Sequence, residues 1–502
     1  MRLHLSVRLF YFCRLLCGII HPYNSYFLFI GTAITSLFDR RKGFRPQKKK
    51  AVTKSSPTEN AEQLGWEVLR LNHDGRGVAI RNSGSGAGKT VFVSNALPTE
   101  QVRVRIDKQH NRFDEAMAVE ILSASPDRVA PPCQYVAECG GCQLQHLHYE
   151  GQLSYKEAML KEHIEHAANI DKVKLEPFVA DPQHAFGYRR RARLSIPPPS
   201  RNTPFMGFRA RGSDEIIAIN DCKTLHPTLN RLLPALQQQL GQMLGNRGLG
   251  HIELLVNETK HSESATVLIR MLETFSEQEQ QAWRAFSAKN ECDVIAHYNS
   301  GFEVVAAVTE QPLELGYLVD NERLTYGPGE FIQINSFVNE KMLNQALNWL
   351  ELTGKETVLE LFAGFGNFSI PLAKRCTKVV AVEVAEQQVI RGSRNAALAN
   401  CDNLEFIRAD LSQPFTDYAF GQQQIDVLFL DPPRAGAADV VADLSFIQPK
   451  SILYISCNAT TFARDAAEII KQGYTLEKVS MLDMFPQTAH AESMALFKRT
   501  ML

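Results

Sequence analysis

Cys457 stands in Ser456-Cys457-Asn458, directly after the apolar run Ser451-Ile-Leu-Tyr-Ile455. A lone cysteine inside a strand is ordinarily a small buried hydrophobe. At the carboxyl end of a sheet strand, beside a ligand site, it is better placed to act as a nucleophile. Glu492, in Met484-Phe-Pro-Gln-Thr-Ala-His490-Ala-Glu492-Ser493, offers a carboxylate near the same edge. A thiolate and a base together suit methylation of a pyrimidine at C5, a poor carbon nucleophile. Addition of the thiolate to C6 makes an enolate whose C5 can attack an electrophilic methyl group. The base then removes the C5 proton and the cysteine leaves, which is covalent catalysis followed by general-base catalysis. Asp431-Pro432-Pro433-Arg434 ends another apolar run; methylation of an amino group would want an aromatic where Arg434 stands.

The elements that must position these groups read as strands alternating with helices from about residue 325 onward. Thr357–Phe362, Val379–Glu383, Leu404–Ile407 and Ile425–Leu430 are buried-strand patterns. That alternation predicts a parallel doubly wound sheet, with ligand at the carboxyl ends of its strands. Gly364-x-Gly366 follows the first strand, but Ser369 stands where a dinucleotide fingerprint wants Gly or Ala. Glu383 ends the next strand and can accept hydrogen bonds from both ribose hydroxyls. Glu360 lies four residues before Gly364, and no phosphate-binding lysine accompanies the glycines. The combination fits S-adenosylmethionine better than a pyrophosphate cofactor.

Upstream, Cys133-x5-Cys139-Gly-Gly-Cys142 puts three thiols within ten residues, with Cys222 the nearest candidate for a fourth. Thiolates select zinc or iron–sulfur clusters. A four-cysteine zinc site usually has two Cys-x2-Cys arms, and Cys222 stands alone. A [4Fe–4S] cluster is therefore favoured over a zinc knuckle. The spacing differs from the Cys-x3-Cys-x2-Cys run of radical enzymes that cleave S-adenosylmethionine. Tyr188-Arg189-Arg190-Arg191-Ala192-Arg193 and Gly207-Phe208-Arg209-Ala210-Arg211 interleave arginine with aromatics, a pattern suited to phosphate pairing and base stacking.

Between Trp66 and Ile121, short period-2 runs separated by Asn, Asp and Gly predict a small β-barrel. Gly84-Ser-Gly-Ala-Gly88-Lys89-Thr90 mimics a phosphate loop, but position 83 is Ser and a strand follows, so it reads as a hairpin loop. The 502 residues carry a net charge of −1, which excludes a uniformly basic nucleic-acid coat, while 44% hydrophobic and 22% charged residues exclude a disordered chain. Residues 1–50 hold ten Lys+Arg and one Asp. Leu15–Phe38 is long enough to span a bilayer, yet His21, Pro22, Asn24 and Ser25 interrupt it. Residues 1–61 read as an atypical hydrophobic and basic extension with a linker, either a poorly ordered arm or the product of a mis-assigned start rather than a membrane element.

Taken together these motifs resemble the RNA uracil-5-methyltransferase family, and within it the subgroup with a TRAM barrel and an iron–sulfur cluster that acts on uracil-1939 of 23S rRNA. The resemblance covers about residues 62–502. It implies an α/β enzyme with an OB-like TRAM domain over 62–123, a central α+β iron–sulfur and RNA-binding domain over 124–324, and a Rossmann-like methyltransferase domain over 325–502. Cys457 would be the nucleophile and Glu492 the base. Gln333 in Phe331-Ile-Gln333-Ile-Asn335, Phe362, Asn367, Glu383, Asp410 and Asp431 would contact S-adenosylmethionine. Cys133, Cys139, Cys142 and Cys222 would hold a [4Fe–4S] cluster with a structural or RNA-binding role. The partner would be unmodified 23S rRNA with a flipped uridine, and the enzyme a cytoplasmic monomer with no membrane association. Ala363, Ala459, Gln487 and Ala489 depart from the family's usual Cys, Pro, His and Gly. Relatives acting on tRNA uracil-54 or rRNA uracil-747 typically lack the TRAM domain and fit less well. A radical methylthiotransferase would leave Ser456-Cys457-Asn458 unexplained. A non-catalytic rRNA assembly factor would have no use for Cys457 and Glu492.

Overall fold

The computed structural model describes residues 65–81, 87–168, 175–198, 204–242, 248–308 and 313–500. All belong to one compact unit, Asn60–Leu502. The apolar stretch Leu15–Phe38 and part of the Gly84–Thr90 loop lie outside them.

Five strands close into a barrel: β1 (Trp66–Leu71), β2 (Gly77–Ile80), β3 (Thr90–Ser94), β4 (Gln101–Gln109) and β5 (Phe113–Ser123). Their order is β1-β2-β3-β5-β4. Alternate residues such as Val68, Val91, Val93, Val102 and Ala116 fill the interior, the period-2 signature of a strand with one dry face. The strand after Gly88-Lys89 is β3, as the hairpin reading requires.

A seven-stranded sheet follows, built from β6 (Arg191–Ser195), β7 (Gly207–Arg209), β8 (Ile216–Ala218), β9 (Leu249–Glu258), β10 (Glu263–Met271), β11 (Cys292–Tyr298) and β12 (Gly301–Ala306). Its order is β12-β11-β10-β9-β6-β7-β8. One face, through Leu254, Val256, Val267 and Ile269, packs on the helices Leu233–Gly241 and Glu277–Asn290. The latter helix starts on a reciprocal Ser276–Glu279 capping box. The other face, through Leu255, Leu268 and Ile295, shares a core with the ribbon β13 (Leu315–Val319) and β14 (Glu322–Tyr326) and with the C-terminal sheet.

That last sheet holds β15 (Thr357–Leu361), β16 (Lys378–Glu383), β17 (Leu404–Arg408), β18 (Val427–Leu430), β19 (Ser451–Ser456), β20 (Tyr474–Leu482) and β21 (Glu492–Arg499), in the order β17-β16-β15-β18-β19-β21-β20. The alternation of strand and helix predicted an all-parallel sheet. The structure departs from this at one strand: β21 runs antiparallel to both β19 and β20. β20 and β21 are joined without a crossover helix, which only an antiparallel pair allows. Helices cover both faces. Ser336–Leu350 seats Val338, Met342 and Ala346 on one, and Ala459–Lys471 seats Phe462, Ala466 and Ile469 on the other. The second face also takes the helix Tyr149–Ala168, which precedes the central sheet in sequence. Its Leu153, Leu160 and Ile164 are buried there, each contributing roughly 1.5–3 kcal/mol of gross transfer free energy.

Candidate active site

The antiparallel departure at β21 is what brings the two reactive groups together. Ser456 pairs with Ser493 across β19 and β21. Cys457 lies one residue beyond that last rung and Glu492 one residue before its partner, so both sit at the same end of the strand pair. Cys457 also sits just ahead of the helix Ala459–Lys471. Asn458 caps that helix by accepting from Thr460 N at 3.1 Å and donates from Nδ2 to the Arg434 carbonyl at 3.0 Å. The cap ties the turn of Cys457 to the Asp431–Arg434 loop. A helix N-terminus favours a thiolate nearby.

Cys457 and Glu492 open into a cavity of about 450 Å³ at the carboxyl ends of β15, β16, β18 and β19. Gln333, Phe362, Asn367, Glu383 and Asp431 line it as well, with Glu360, Gly364, Arg434 and the exposed Phe331. Phe362 adopts a left-handed backbone (φ 64°) ahead of Gly364 (φ 60°) and Gly366 (φ 112°). A bulky residue in that region carries local strain, a feature that clusters at ligand sites. Glu383 is held by its own turn: Oε2 accepts from Gly364 N at 3.1 Å and Oε1 from Ala385 N at 2.9 Å. The Asn367 carboxamide forms a reciprocal pair with Asn339 at 3.1 Å each way and accepts from the Tyr317 hydroxyl at 3.1 Å. Asp410 is the exception among the expected cofactor residues. It lines an adjoining cavity of about 230 Å³ that shares Phe362 and Glu383, and its Oδ1 accepts from Ser412 N at 3.0 Å and Ser412 Oγ at 2.8 Å.

The site concentrates buried acid. Burial pushes Glu360 up to about 8, Asp431 up to about 7 and Glu492 up to about 8, with Asp431 adding repulsion at Glu492. Burial, then Glu492 and Asp431, raises the Cys457 thiol, while Arg434 opposes them. Glu360 Oε2 is buried with no hydrogen-bond partner, so an acceptor is left aimed at a ligand-sized cavity.

The four cysteines Cys133, Cys139, Cys142 and Cys222 line a separate cavity of about 750 Å³. The Cys139–Cys142 loop is held by Gly140 N donating to the Arg209 carbonyl at 3.0 Å and by Arg211 Nη2 donating to the Cys142 carbonyl at 3.0 Å. Burial, with lesser repulsion from Cys222 and Cys139, raises Cys142 to about 12. Among the described residues, no group of three or more His, Cys, Asp or Glu side chains is placed to hold a metal ion.

The arginine run is a correction. Tyr188 is buried, and its hydroxyl donates to the Pro486 carbonyl at 3.0 Å, so its ring offers no stacking face. Arg190 is also buried. It donates from Nε to the Gln333 carbonyl at 2.6 Å, pairs with Glu258 at 3.3 Å and lies 4.2 Å over the Tyr317 ring. Arg191 pairs with Glu253 at 3.0 Å. These residues brace the segment ahead of the helix Ser336–Leu350 that presents Gln333; in the run from 188 to 193 only Arg193 is exposed. A charge run with alternating burial belongs to a strand edge, and alternation at Ala192 and Leu194 was the signal for it.

Sequence reasoning also missed Lys156 and Asp483. Both side chains are buried, and they form an ion pair behind Glu492. No spacing rule links residues 327 positions apart.

Residues 148–500 match the family model for tRNA (uracil-5-)-methyltransferase. A Pseudomonas fluorescens protein named 23S rRNA (uracil(1939)-C(5))-methyltransferase RlmD is 40% identical over 88% of this chain and 93% of its own length. A Vibrio cholerae protein of the same name is 38% identical over 90% of this chain and 98% of its own. Among solved structures, Pyrococcus abyssi tRNA (uracil-54, C5)-methyltransferase in complex with S-adenosyl-L-homocysteine aligns with a TM-score of 0.64 and 26% identity, over 86% of this chain and 99% of that one. No helix among the described residues is long and apolar enough to cross a membrane. The chain belongs to the tRNA (uracil-5-)-methyltransferase family.

Proposed function

We propose that the protein transfers a methyl group from S-adenosylmethionine to C5 of one uridine in 23S rRNA, the counterpart of uracil-1939 in its relatives, through a covalent adduct on Cys457. The observation that carries this is the single cavity in which the β19–β21 register sets Cys457 beside Glu492, facing Glu360, Glu383 and Asp431. When bound, S-adenosylmethionine supplies the electrophilic methyl group. Glu383, already oriented by two backbone N–H groups, accepts the ribose hydroxyls. Phe362, Gln333 and Asn367 wall the remainder, with Asp410 beside them at the adjoining cavity. The Cys457 thiolate adds to C6 of the flipped uracil, C5 takes the methyl group, and S-adenosylhomocysteine departs. Glu492 then removes the C5 proton, the C5–C6 double bond re-forms and the sulfur–C6 bond breaks. Asp431, whose carboxyl is easily kept protonated by burial, is suited to donate a hydrogen bond to a uracil carbonyl.

Choosing rRNA over tRNA rests on identity: 38–40% to the rRNA enzymes against 26% to the tRNA enzyme. The barrel is a poorer discriminator than the sequence suggested, because the tRNA uracil-54 enzyme aligns over 86% of this chain. The reading keeps residues 62–123 as an RNA-binding TRAM barrel, 124–324 as the central domain and 325–502 as the methyltransferase domain, acting on unmodified rRNA as a cytoplasmic monomer.

A [4Fe–4S] cluster on Cys133, Cys139, Cys142 and Cys222 suits their surroundings. Arg189 Nε and Arg211 Nε are buried without hydrogen-bond partners, and both residues line this cavity, where thiolates and cluster sulfides would satisfy them. A zinc site with four cysteine ligands usually has two Cys-x2-Cys arms, and Cys222 stands alone. A larger cluster spreads its ligands. Its cationic irons would also offset the burial, and the lesser repulsion from Cys222 and Cys139, that hold the Cys142 thiol protonated.

The test is transfer of labelled methyl from S-adenosylmethionine to unmodified 23S rRNA, with tRNA transcripts alongside, followed by mass spectrometry of nuclease fragments. Label at one rRNA uridine is expected from the wild type and none from Cys457→Ala. Label on tRNA alone would overturn the substrate assignment.

A further inference from the structure

A second cavity, of about 410 Å³, meets the first at Cys457, His490, Ala491 and Glu492. Its far wall is the helix Tyr149–Ala168, through Tyr155, Lys156, Met159, Leu160 and His163, with His73 from the barrel's β1–β2 turn. Lys156 is the one ammonium in this wall, and its side chain is wholly buried. It pairs with Asp483, also wholly buried, and donates to the Phe485 carbonyl at 3.0 Å. Tyr149 OH donates to the other Asp483 oxygen at 2.7 Å. An ammonium has three N–H donors. Two are used, on Asp483 and the Phe485 carbonyl, and the cavity that Lys156 lines also holds the Glu492 carboxylate.

We infer that Lys156 is a positioning residue for the general base: fixed by Asp483 and the Phe485 carbonyl, it shares the second cavity with Glu492, and its charge there favours the ionised carboxylate that takes the C5 proton. The inference rests on the proposed role of Glu492. Other charged or titratable groups share the two cavities with Glu492, among them Glu360 and Glu383 on the first and Tyr155 on the second. Asp431 at the end of β18 and the Cys457 thiol at the end of β19 oppose ionisation. Arg434, in the loop after Asp431, favours it but is exposed. His490 on the same loop is pushed toward its neutral form by burial, and His73 and His163 stand across the cavity. Lys156 is thus the buried cation in a site where burial and two acids work against the base. A barrier-free cycle also needs Glu492 to shed the proton it takes, and an adjacent cation favours that release.

The test uses full-length enzyme with bound cluster. Lys156→Met/Asp483→Asn removes both buried charges together, since removing one alone would strand the other. Single-turnover methylation of uridine RNA is measured against pH, together with formation of the dead-end adduct on 5-fluorouridine RNA, which has no C5 proton to remove. The double variant is expected to form the 5-fluorouridine adduct like wild type. Its methylation profile should have an acid limb displaced upward by about one pH unit or more, with unresolved adduct accumulating on uridine RNA below that limb. Lys156→Arg should restore the wild-type limb. Tyr149→Phe, which removes a neutral hydrogen bond from the same network, should leave it in place and serves as the reference if the double variant fails to fold: with Lys156→Gln then taking the double variant's part, only the lysine change should move the limb. An unmoved limb in the lysine variant, or an equal displacement in Tyr149→Phe, overturns the inference. Loss of 5-fluorouridine adduct in the wild type itself would instead overturn the underlying role of Cys457.

Discussion

On the proposed mechanism Cys457 and Glu492 divide the reaction between them, and each half has its own signature. Glu492→Gln keeps the shape of the site but removes the proton acceptor. The enzyme should form the methylated adduct and fail to release it, so RNA–protein conjugate accumulates on denaturing gels while multiple-turnover rates fall by roughly 10²–10⁴. Release of free methylated RNA at the wild-type rate would remove Glu492 from the mechanism. The two groups also set the pH dependence. Cys457 is raised above its usual value by burial and by Glu492 and Asp431, and Glu492 is raised to about 8. Both must be deprotonated to act, so methylation should increase from pH 6 through pH 8 rather than level off near 6. A rate already flat from pH 6 upward would show that bound RNA and cofactor reverse the effect of burial.

The loop from Met484 to Ala491 carries the base to its place, and its hold on the rest of the fold is specific. Gln487 has a left-handed backbone (φ 70°) and is buried. Its N–H donates to Gln152 Oε1 at 2.9 Å, and its Oε1 accepts from Gln152 Nε2 at 3.0 Å. The Gln487 carbonyl accepts from Gln143 N at 3.1 Å and Leu144 N at 3.0 Å, next to Cys142. Gln152→Leu should therefore cost about 2 kcal/mol of stability through unpaired buried groups and lower kcat by ~10²-fold through misplacement of Glu492, with S-adenosylmethionine affinity little changed. Urea unfolding, equilibrium dialysis and turnover measurements separate the three; wild-type turnover would show that the loop holds itself. This loop also marks how far the sequence could be read. Cys457, Glu383 and Asp431 were legible because each ends an apolar run, and strand ends are where such sheets bind ligands. The antiparallel turn of β21 was not, since a strand's direction leaves no trace in its hydrophobic pattern. Nor were the bonds of Gln487, which join residues 335 apart. The Tyr188–Arg193 run was misread because charge along a sequence does not reveal which arginines face inward.

Across the molecule, the barrel, the cysteine loop and the methyltransferase sheet meet at that same loop. Gly75 in the β1–β2 turn has φ +74° and lies against Leu144 and Ala489, and Tyr155 OH donates to the Asn72 carbonyl at 2.6 Å. On the proposed cluster assignment, losing the cluster should loosen the cysteine loop without dismantling the cofactor site. Cys142→Ser, or oxidative removal of the cluster, is expected to raise KM for rRNA and expose residues 133–143 to proteolysis while S-adenosylmethionine still binds; equal loss of both ligands would point to global unfolding instead. The small barrel and the strand–helix alternation of the methyltransferase sheet were readable in the sequence, whereas the contacts between them arise only once distant segments are packed. The most direct measurement joins all of these parts in one species. Full-length enzyme is incubated with S-adenosylmethionine and a 23S rRNA fragment carrying 5-fluorouridine, and the crosslinked peptide is sequenced by mass spectrometry. The account predicts a methylated nucleotide attached through Cys457, at one rRNA position, and no conjugate from Cys457→Ala. A conjugate through another residue, or none from enzyme that binds both ligands, would contradict it.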